Sequence, residues 1–311
     1  MRTVRAESAL EGIDRSVVSI GNFDGVHAGH RKLVETVKSR ARHQDATSVI
    51  VTFDPHTRSV LRPEAVQPLL TTLPEKQALL ESMDIDVLAV LPFTPALAGM
   101  APGDFVDRVL VSQFKAVEWV MGEDHAFGKN RAGTKNFLHE SKSRKHFNVF
   151  AITLDAENAG VVSSTRIRSL IVDGKLQSAV SMLGHPYLVM AQRTGGTRTG
   201  SALGFPTLNF ALPPSEKVLP PAGVYAAELG SAGAKWAGAL YLGNCPTFSN
   251  RERHLEFHAF SGDGSYPGLH DEAAVWIHAF VRKDESFPDA RRLASQIEQD
   301  IRNIKGFFAQ E

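Results

Sequence analysis

The chain has 311 residues, 43% of them hydrophobic and 22% charged, and its 34 basic residues balance 34 acidic ones. That length exceeds one ordinary core of about 100–150 residues, so two domains of a globular protein are expected. With no basic surplus to neutralise phosphates, nucleic acid is not an expected partner.

The opening stretch "MRTVRAESALEGIDRS" contains no apolar core of signal-peptide length. Strand-like runs rich in β-branched residues follow: "SVVSI" (16–20), "SVIVTF" (48–53), "DVLAVLPF" (86–93), "AVEWVMG" (116–122) and "VFAITL" (149–154). Between the first two, Leu33, Val34, Val37 and Ala41 recur at helical spacing, and further helical patterns cover 74–83 and 102–114. Near-continuous apolar strands alternating with helices predict an α/β domain: an open, Rossmann-like parallel sheet covered on both faces. In such a sheet the ligand sits at the carboxyl ends of the strands.

Near residue 184 the rhythm changes. "YLVMAQ", "GFPTLNF", "GVYAAEL", "WAGALYLG", "HLEFHAF" and "EAAVWIHAFV" are strand-like and separated by turn signals. They predict a mostly antiparallel sheet or small β-barrel. A closing amphipathic helix from about Asp289 places Leu293, Ile297, Ile301 and Ile304 on one stripe against that barrel. The predicted domains are therefore 1–183 and 184–311. One cysteine, Cys245, excludes an intrachain disulfide or thiolate zinc site and fits a reducing, cytoplasmic setting. No run of about 18 apolar residues occurs, so no membrane span is expected. The sequence leaves a homo-oligomer open.

The stretch "SIGNFDGVHAGHRKLVETV" (Ser19–Val37) sets His27 and His30 three residues apart where a glycine-rich turn becomes a helix. A helical zinc pair spaces its imidazoles by four with a glutamate between, which this pattern lacks. The pair is either an ordinary core or surface pair or a phosphate device. Gly21, Gly25 and Gly29 would let the backbone approach a ligand, and helix-start amides point to the same place, which favours phosphate. Imidazole donors there can stabilise charge that grows during a reaction. "SSTRIRS" reads as a second anion element, its hydroxyls capping a helix or reaching phosphate oxygens, with the alternative of a capped helix carrying solvated arginines.

"GNFDGVHAGH" resembles the signature of nucleotidylyltransferases, and in particular the N-terminal module of prokaryotic bifunctional riboflavin kinase/FAD synthetases. The other marks follow in order: "VTFDPHTRSVL" (51–61), "LLTTLPEKQALL" (69–80), "MGEDHAFGKNRAG" (121–133) and "VSSTRIR" (162–168). The second half is similar to the riboflavin kinase module through "LGFPTLNF" (203–210), "PAGVYAAEL" (221–229), "LGNCPTF" (242–248), "HLEFHAF" (254–260) and "VRKDESFPD" (281–289). The resemblance implies riboflavin phosphorylation to FMN in the second module. It implies transfer of AMP from ATP to FMN, giving FAD, in the first.

It further implies that His27 and His30 stabilise the transition state at the α-phosphorus, with Gly21, Phe23, Gly25, Gly29, Ser164, Thr165 and Arg168 at the ATP phosphates. His56, Asp124 and Phe127 fall on the flavin side. His56 either touches substrate phosphate or supports its loop. In the kinase module Thr207 and Asn209 would hold Mg²⁺, a cation that prefers hard oxygen ligands. Gly204 and Pro206 would lie at ATP, Arg282 at the flavin, and Glu256 would be the catalytic base. Without the resemblance, Glu256 reads as the solvent face of an alternating strand.

Several positions depart from the family's pattern. His125-Ala126 replaces an aromatic and a basic residue, and Thr57 replaces a proline. Gly200-Ser201-Ala202 lacks a loop arginine, which is either missing or displaced to Arg198, and "FSGDGSYPGLH" keeps Tyr266 and Gly268 only with a proline between them. These changes leave two alternatives beside the bifunctional enzyme: an FAD synthetase with a degenerate kinase module, or a flavin-binding regulator.

Overall fold

The computed structural model describes residues 1–7, 9–65, 67–140, 148–153, 162–195, 204–231, 233–243, 254–260, 266 and 269–310. The chain forms two compact units, Met1–Ser163 and Ser164–Glu311.

The first unit is built on six parallel strands: β1 (Arg2–Arg5), β2 (Ser16–Ile20), β3 (Thr47–Asp54), β4 (Val87–Pro92), β5 (Ala116–Gly122) and β6 (Asn148–Ile152). They are ordered β1-β4-β3-β2-β5-β6. All five residues of β2 are buried, as a strand covered on both faces requires. Each aliphatic side chain taken from water there contributes about 1.5–3 kcal/mol. Val18, Val49, Ala89, Phe105, Phe114 and Trp119 belong to one core cluster.

The helix α1 (Ala28–His43) follows β2 and buries Leu33, Val34, Val37 and Ala41, the stripe predicted from spacing. Its last turn carries Arg40, Arg42 and His43, which suit the negative end of the helix dipole. The short helix α2 (Thr57–Leu61) follows β3, and α3 (Leu73–Glu81) starts with a full capping box between Thr72 and Glu75. The sheet order turns back at β2, whose neighbours are β3 and β5. The carboxyl end of β2 is thus a topological switch point, where open α/β sheets bind ligands.

The edge strand β1 has no counterpart in the sequence reading. Three of its four residues are exposed, so the apolar signal that marks the inner strands is missing.

The second unit begins with two helices, Ser164–Val172 and Leu176–Leu183. The sequence places a boundary at 183/184, whereas the compact units divide some twenty residues earlier. The helical pair buries Ile167, Ile171, Leu176, Ala179, Met182 and Leu183 within that unit. A closed barrel follows, of β7 (Tyr187–Thr194), β8 (Leu208–Phe210), β9 (Gly223–Ser231), β10 (Ala234–Gly243), β11 (His254–Ala259) and β12 (Glu272–Lys283). The order is β10-β11-β8-β7-β12-β9 and every pairing is antiparallel. Burial alternates along β8 and β11, so Leu208, Phe210, Leu255 and Phe257 turn inward and Asn209 and Glu256 turn outward. The terminal helix Ala290–Phe308 lies on the barrel's outer face, where Ile304 is buried with Val224, Ala226 and Ala279.

Candidate functional sites

The turn between β2 and α1 is held by the segments that flank it. Asp24 is buried and its Oδ1 accepts the backbone amides of Leu70 (2.9 Å) and Thr71 (3.0 Å). The Thr71 hydroxyl oxygen accepts the Gly25 amide at 2.9 Å. Asn22 exchanges hydrogen bonds with Thr57, and the Thr52 hydroxyl donates to the Asn22 carbonyl at 3.1 Å. The stretches 51–61 and 69–80 therefore form the backing of the glycine-rich turn.

That backing holds an unusual backbone. Phe23 and Val26 have φ of 48° and 40°, in the left-handed region that costs non-glycine residues about 1–3 kcal/mol each. Of Gly21, Gly25 and Gly29, only Gly25 (φ 84°) needs a glycine for its backbone.

His27 caps α1, its Nδ1 accepting the His30 amide at 3.4 Å, so the neutral ring carries its proton on Nε2. The two rings stack with centroids 3.7 Å apart, and Phe23 lies 5.0 Å from His30 on another side. Phe23 thus supports His30 from the core. Burial, then His27, then Lys76 hold the His30 imidazole well below its usual pKa. The Nδ1 of His30 is buried and has no hydrogen-bond partner among the described residues. Two stacked imidazoles at the mouth of a sixteen-residue helix, beside first-turn amides that lack intrahelical acceptors, form a donor cluster suited to an oxyanion.

The Lys76 side chain was not singled out in the sequence. It is 5% exposed and its Nζ donates to the Thr52 hydroxyl oxygen at 2.9 Å. A lysine between the apolar positions of α3 gives no sequence signal that its head group is interior.

The flavin-side candidates of this unit separate. His56 caps α2, its Nδ1 accepting the Arg58 amide at 3.2 Å, which supports the loop and leaves Nε2 as the protonated nitrogen of the neutral ring. Asp124 is exposed. Phe127 belongs to the core, with ring centroids 4.8 Å from Trp119 and 5.6 Å from Phe105. The structure packs its side chain in the core. His125 sets its ring edge-on to Trp119, and burial with help from Arg131 pushes its pKa down to about 4. A neutral aromatic ring is what that position receives.

In the second unit, Thr207, Asn209 and Glu256 come together. Asn209 faces Glu256 across the β8–β11 pair, and the Thr207 hydroxyl donates to Glu256 Oε2 at 3.1 Å. Three hard oxygen donors stand on one outer face, the ligand type that Mg²⁺ prefers. Among the described residues no cluster of three or more His, Cys, Asp or Glu could hold a metal. His258, also missed in the sequence, donates from Nδ1 to the Pro206 carbonyl at 2.8 Å and steadies the turn that presents Thr207. Gly204 has φ 87° and open space around it.

Arg282, assigned to the flavin by resemblance, is held by an ion pair. Its Nε donates to both Asp300 oxygens at 3.1 and 2.9 Å, tying β12 to the terminal helix. Asp300 is buried and Arg282 nearly so, which makes the pair a clamp. Ser164, Thr165 and Arg168 stand in the first turns of the helix Ser164–Val172. Arg198, the Gly200–Ala202 stretch, Cys245 and the rest of 244–248, and Gly268 lie outside the described residues.

Residues 11–166 match the FAD synthetase family and residues 183–308 the riboflavin kinase family. Three relatives are each named bifunctional riboflavin kinase/FMN adenylyltransferase. That of Buchnera aphidicola subsp. Schizaphis graminum is 28% identical over 314 residues, covering 99% of both chains. The Escherichia coli K12 protein is 29% identical over 293 residues, 94% of this chain and 92% of its own. The Bacillus subtilis 168 protein is 30% identical over 301 residues, 95% of this chain and 93% of its own. A crystal structure titled macrolide-efflux protein from Streptococcus pneumoniae shares the fold, with a TM-score of 0.81, 24% identity and 96% coverage of each chain.

Proposed function

The chain belongs to the family of bifunctional riboflavin kinase/FMN adenylyltransferases, and from that premise we propose how its residues divide the two reactions. Adenylyl transfer is assigned to the first module, residues 1–183, and riboflavin phosphorylation to the second, residues 184–311. The observation that carries the division is that each half holds its own cluster of groups: stacked His27 and His30 at a switch point, and Thr207, Asn209 and Glu256 on one barrel face.

In the first module an FMN phosphate oxygen attacks the α-phosphorus of ATP and pyrophosphate leaves. The nucleophile is already anionic, so no strong general base is needed, and orientation with charge stabilisation supplies the acceleration. His27 and His30 donate to the phosphate oxygens on which charge accumulates.

In the second module Glu256 takes the proton of the riboflavin 5′-hydroxyl as that oxygen attacks the γ-phosphorus and ADP leaves. Thr207 and Asn209 would hold Mg²⁺, which neutralises phosphate charge when bound. The Thr207 hydroxyl, its hydrogen committed to Glu256, would keep its lone pairs available to such a cation.

Among the described residues no helix is long and apolar enough to cross a membrane. The partners follow from the reactions: riboflavin, FMN, FAD and ATP.

One assay tests the whole reading. Purified protein supplied with riboflavin, ATP and Mg²⁺ is expected to yield FMN and then FAD. Conversion only of added FMN would leave the kinase module degenerate, and conversion of neither flavin would make the chain a flavin-binding regulator.

A further inference from the structure

Lys76 is a buried ammonium that neither reaction, as assigned above, employs. It projects from α3 beneath the turn 21–27, and the hydrogen-bond path from its Nζ runs through the Thr52 hydroxyl to the Asn22 carbonyl. A trans peptide that points its carbonyl toward Thr52 points its N–H, that of Phe23, the opposite way, away from the strand. The path therefore sets the first peptide of the left-handed segment at Phe23.

The charges that act on Lys76 are the carboxylates of Asp24 in the turn and Asp54 at the end of β3, and the imidazole of His30 on α1, kept uncharged, also faces it. Asp54 also meets Arg5 at 3.4 Å, and Glu75, next to Lys76, is occupied by its capping box with Thr72. Remove the ammonium, and carboxylates remain under a site that must receive a polyanion. Placed there, it offsets them.

We propose that Lys76 is a positioning residue for adenylyl transfer, an interior cation that fixes the Asn22 peptide and compensates the carboxylates beneath the triphosphate. This inference rests on the adenylyltransferase reading of the first module. It accounts for an ammonium held in the interior, where a charged amine is normally costly and shifts toward neutrality. Burial pushes the Lys76 pKa down to about 8, with Asp24 and Asp54 pulling the other way. The charge is thus present at neutral pH and lost as pH rises through about 8 in the free enzyme.

The test is a pH profile of FAD formation from FMN and ATP, for wild type and Lys76→Met. In the wild type, kcat/KM for ATP is expected to fall above about pH 8, because that ratio reports the free enzyme. The same fall in kcat should lie at higher pH, since bound phosphate favours the ammonium. Lys76→Met, folded by circular dichroism, is expected to show kcat/KM for ATP lowered about tenfold or more at pH 7. It should lack the alkaline fall and phosphorylate riboflavin at the wild-type rate. A variant with wild-type kcat/KM, or one that keeps the alkaline fall, overturns the proposal. If the variant does not fold, the wild-type profile decides: a kcat/KM flat to pH 9.5 overturns it, and a fall above 8 that moves upward in kcat supports it. If the wild type makes no FAD at all, it is the adenylyltransferase reading that fails.

Discussion

Glu256→Gln is expected to lower riboflavin phosphorylation by about 10²–10⁴-fold while FAD formation from supplied FMN stays at the wild-type rate. That loss corresponds to about 3–5 kcal/mol of transition-state stabilisation. Glutamine is the informative replacement. Its side-chain carbonyl can still accept the Thr207 hydroxyl, which lies 3.1 Å from Oε2, so the local geometry is kept while the base is removed. Glu256 is only half-buried on the outer face of β11, and its strand neighbours Leu255 and Phe257 hold the barrel together from inside. The fold has little reason to respond. Steady-state rates for both reactions on the same preparation check the outcome. A kinase rate within a few-fold of wild type would mean that the proton goes elsewhere and that Glu256 is not the base.

His30→Ala is expected to do the reverse. Removing one preorganised donor to a developing oxyanion costs about 10²–10³-fold, or about 2.7–4 kcal/mol. FAD formation should fall by that factor, and FMN formation from riboflavin should not change. Two opposite effects limit the change in stability. The substitution leaves a void against Phe23 and His27, whose rings lie 5.0 and 3.7 Å from that of His30. It also relieves the buried, unpartnered Nδ1, a group whose desolvation costs about 1–3 kcal/mol. A melting curve close to wild type beside a hundredfold loss of adenylylation would separate catalysis from folding. Loss of both reactions in a folded variant would contradict the assignment of one reaction to each module.

The sequence made the inner strands legible because burial on both faces removes polar interruptions. "SVVSI" and "AVEWVMG" coincide with β2 and β5, and each of the six barrel segments overlaps a different barrel strand. The exposed edge strand Arg2–Arg5 offered no such pattern. The helical pair 164–183 was read with the first domain because chain order, not packing, is what a sequence presents; its buried residues belong to the compact unit that holds the barrel.

At the candidate sites, motif residues are visible in the sequence and the groups that back them are not. His27, His30, Thr207, Asn209 and Glu256 stand out as residue types, and the structure sets them in two clusters. Lys76, Thr52 and Thr71 are ordinary residues whose importance comes from hydrogen bonds spanning 24 and 46 positions of the chain. Phe127 and Arg282 sit in motif stretches too, and what the sequence does not present is their packing: one ring lies in the core and one guanidinium is clamped by Asp300.

The central claim is that imidazoles at the mouth of α1 receive the nucleotide's phosphates. A crystal soaked with a non-hydrolysable ATP analogue tests it most directly. The account requires the triphosphate to lie at that mouth, with His27 and His30 within hydrogen-bond reach of its oxygens. An analogue bound in the first module away from both rings, or a transition metal held between them, would contradict it.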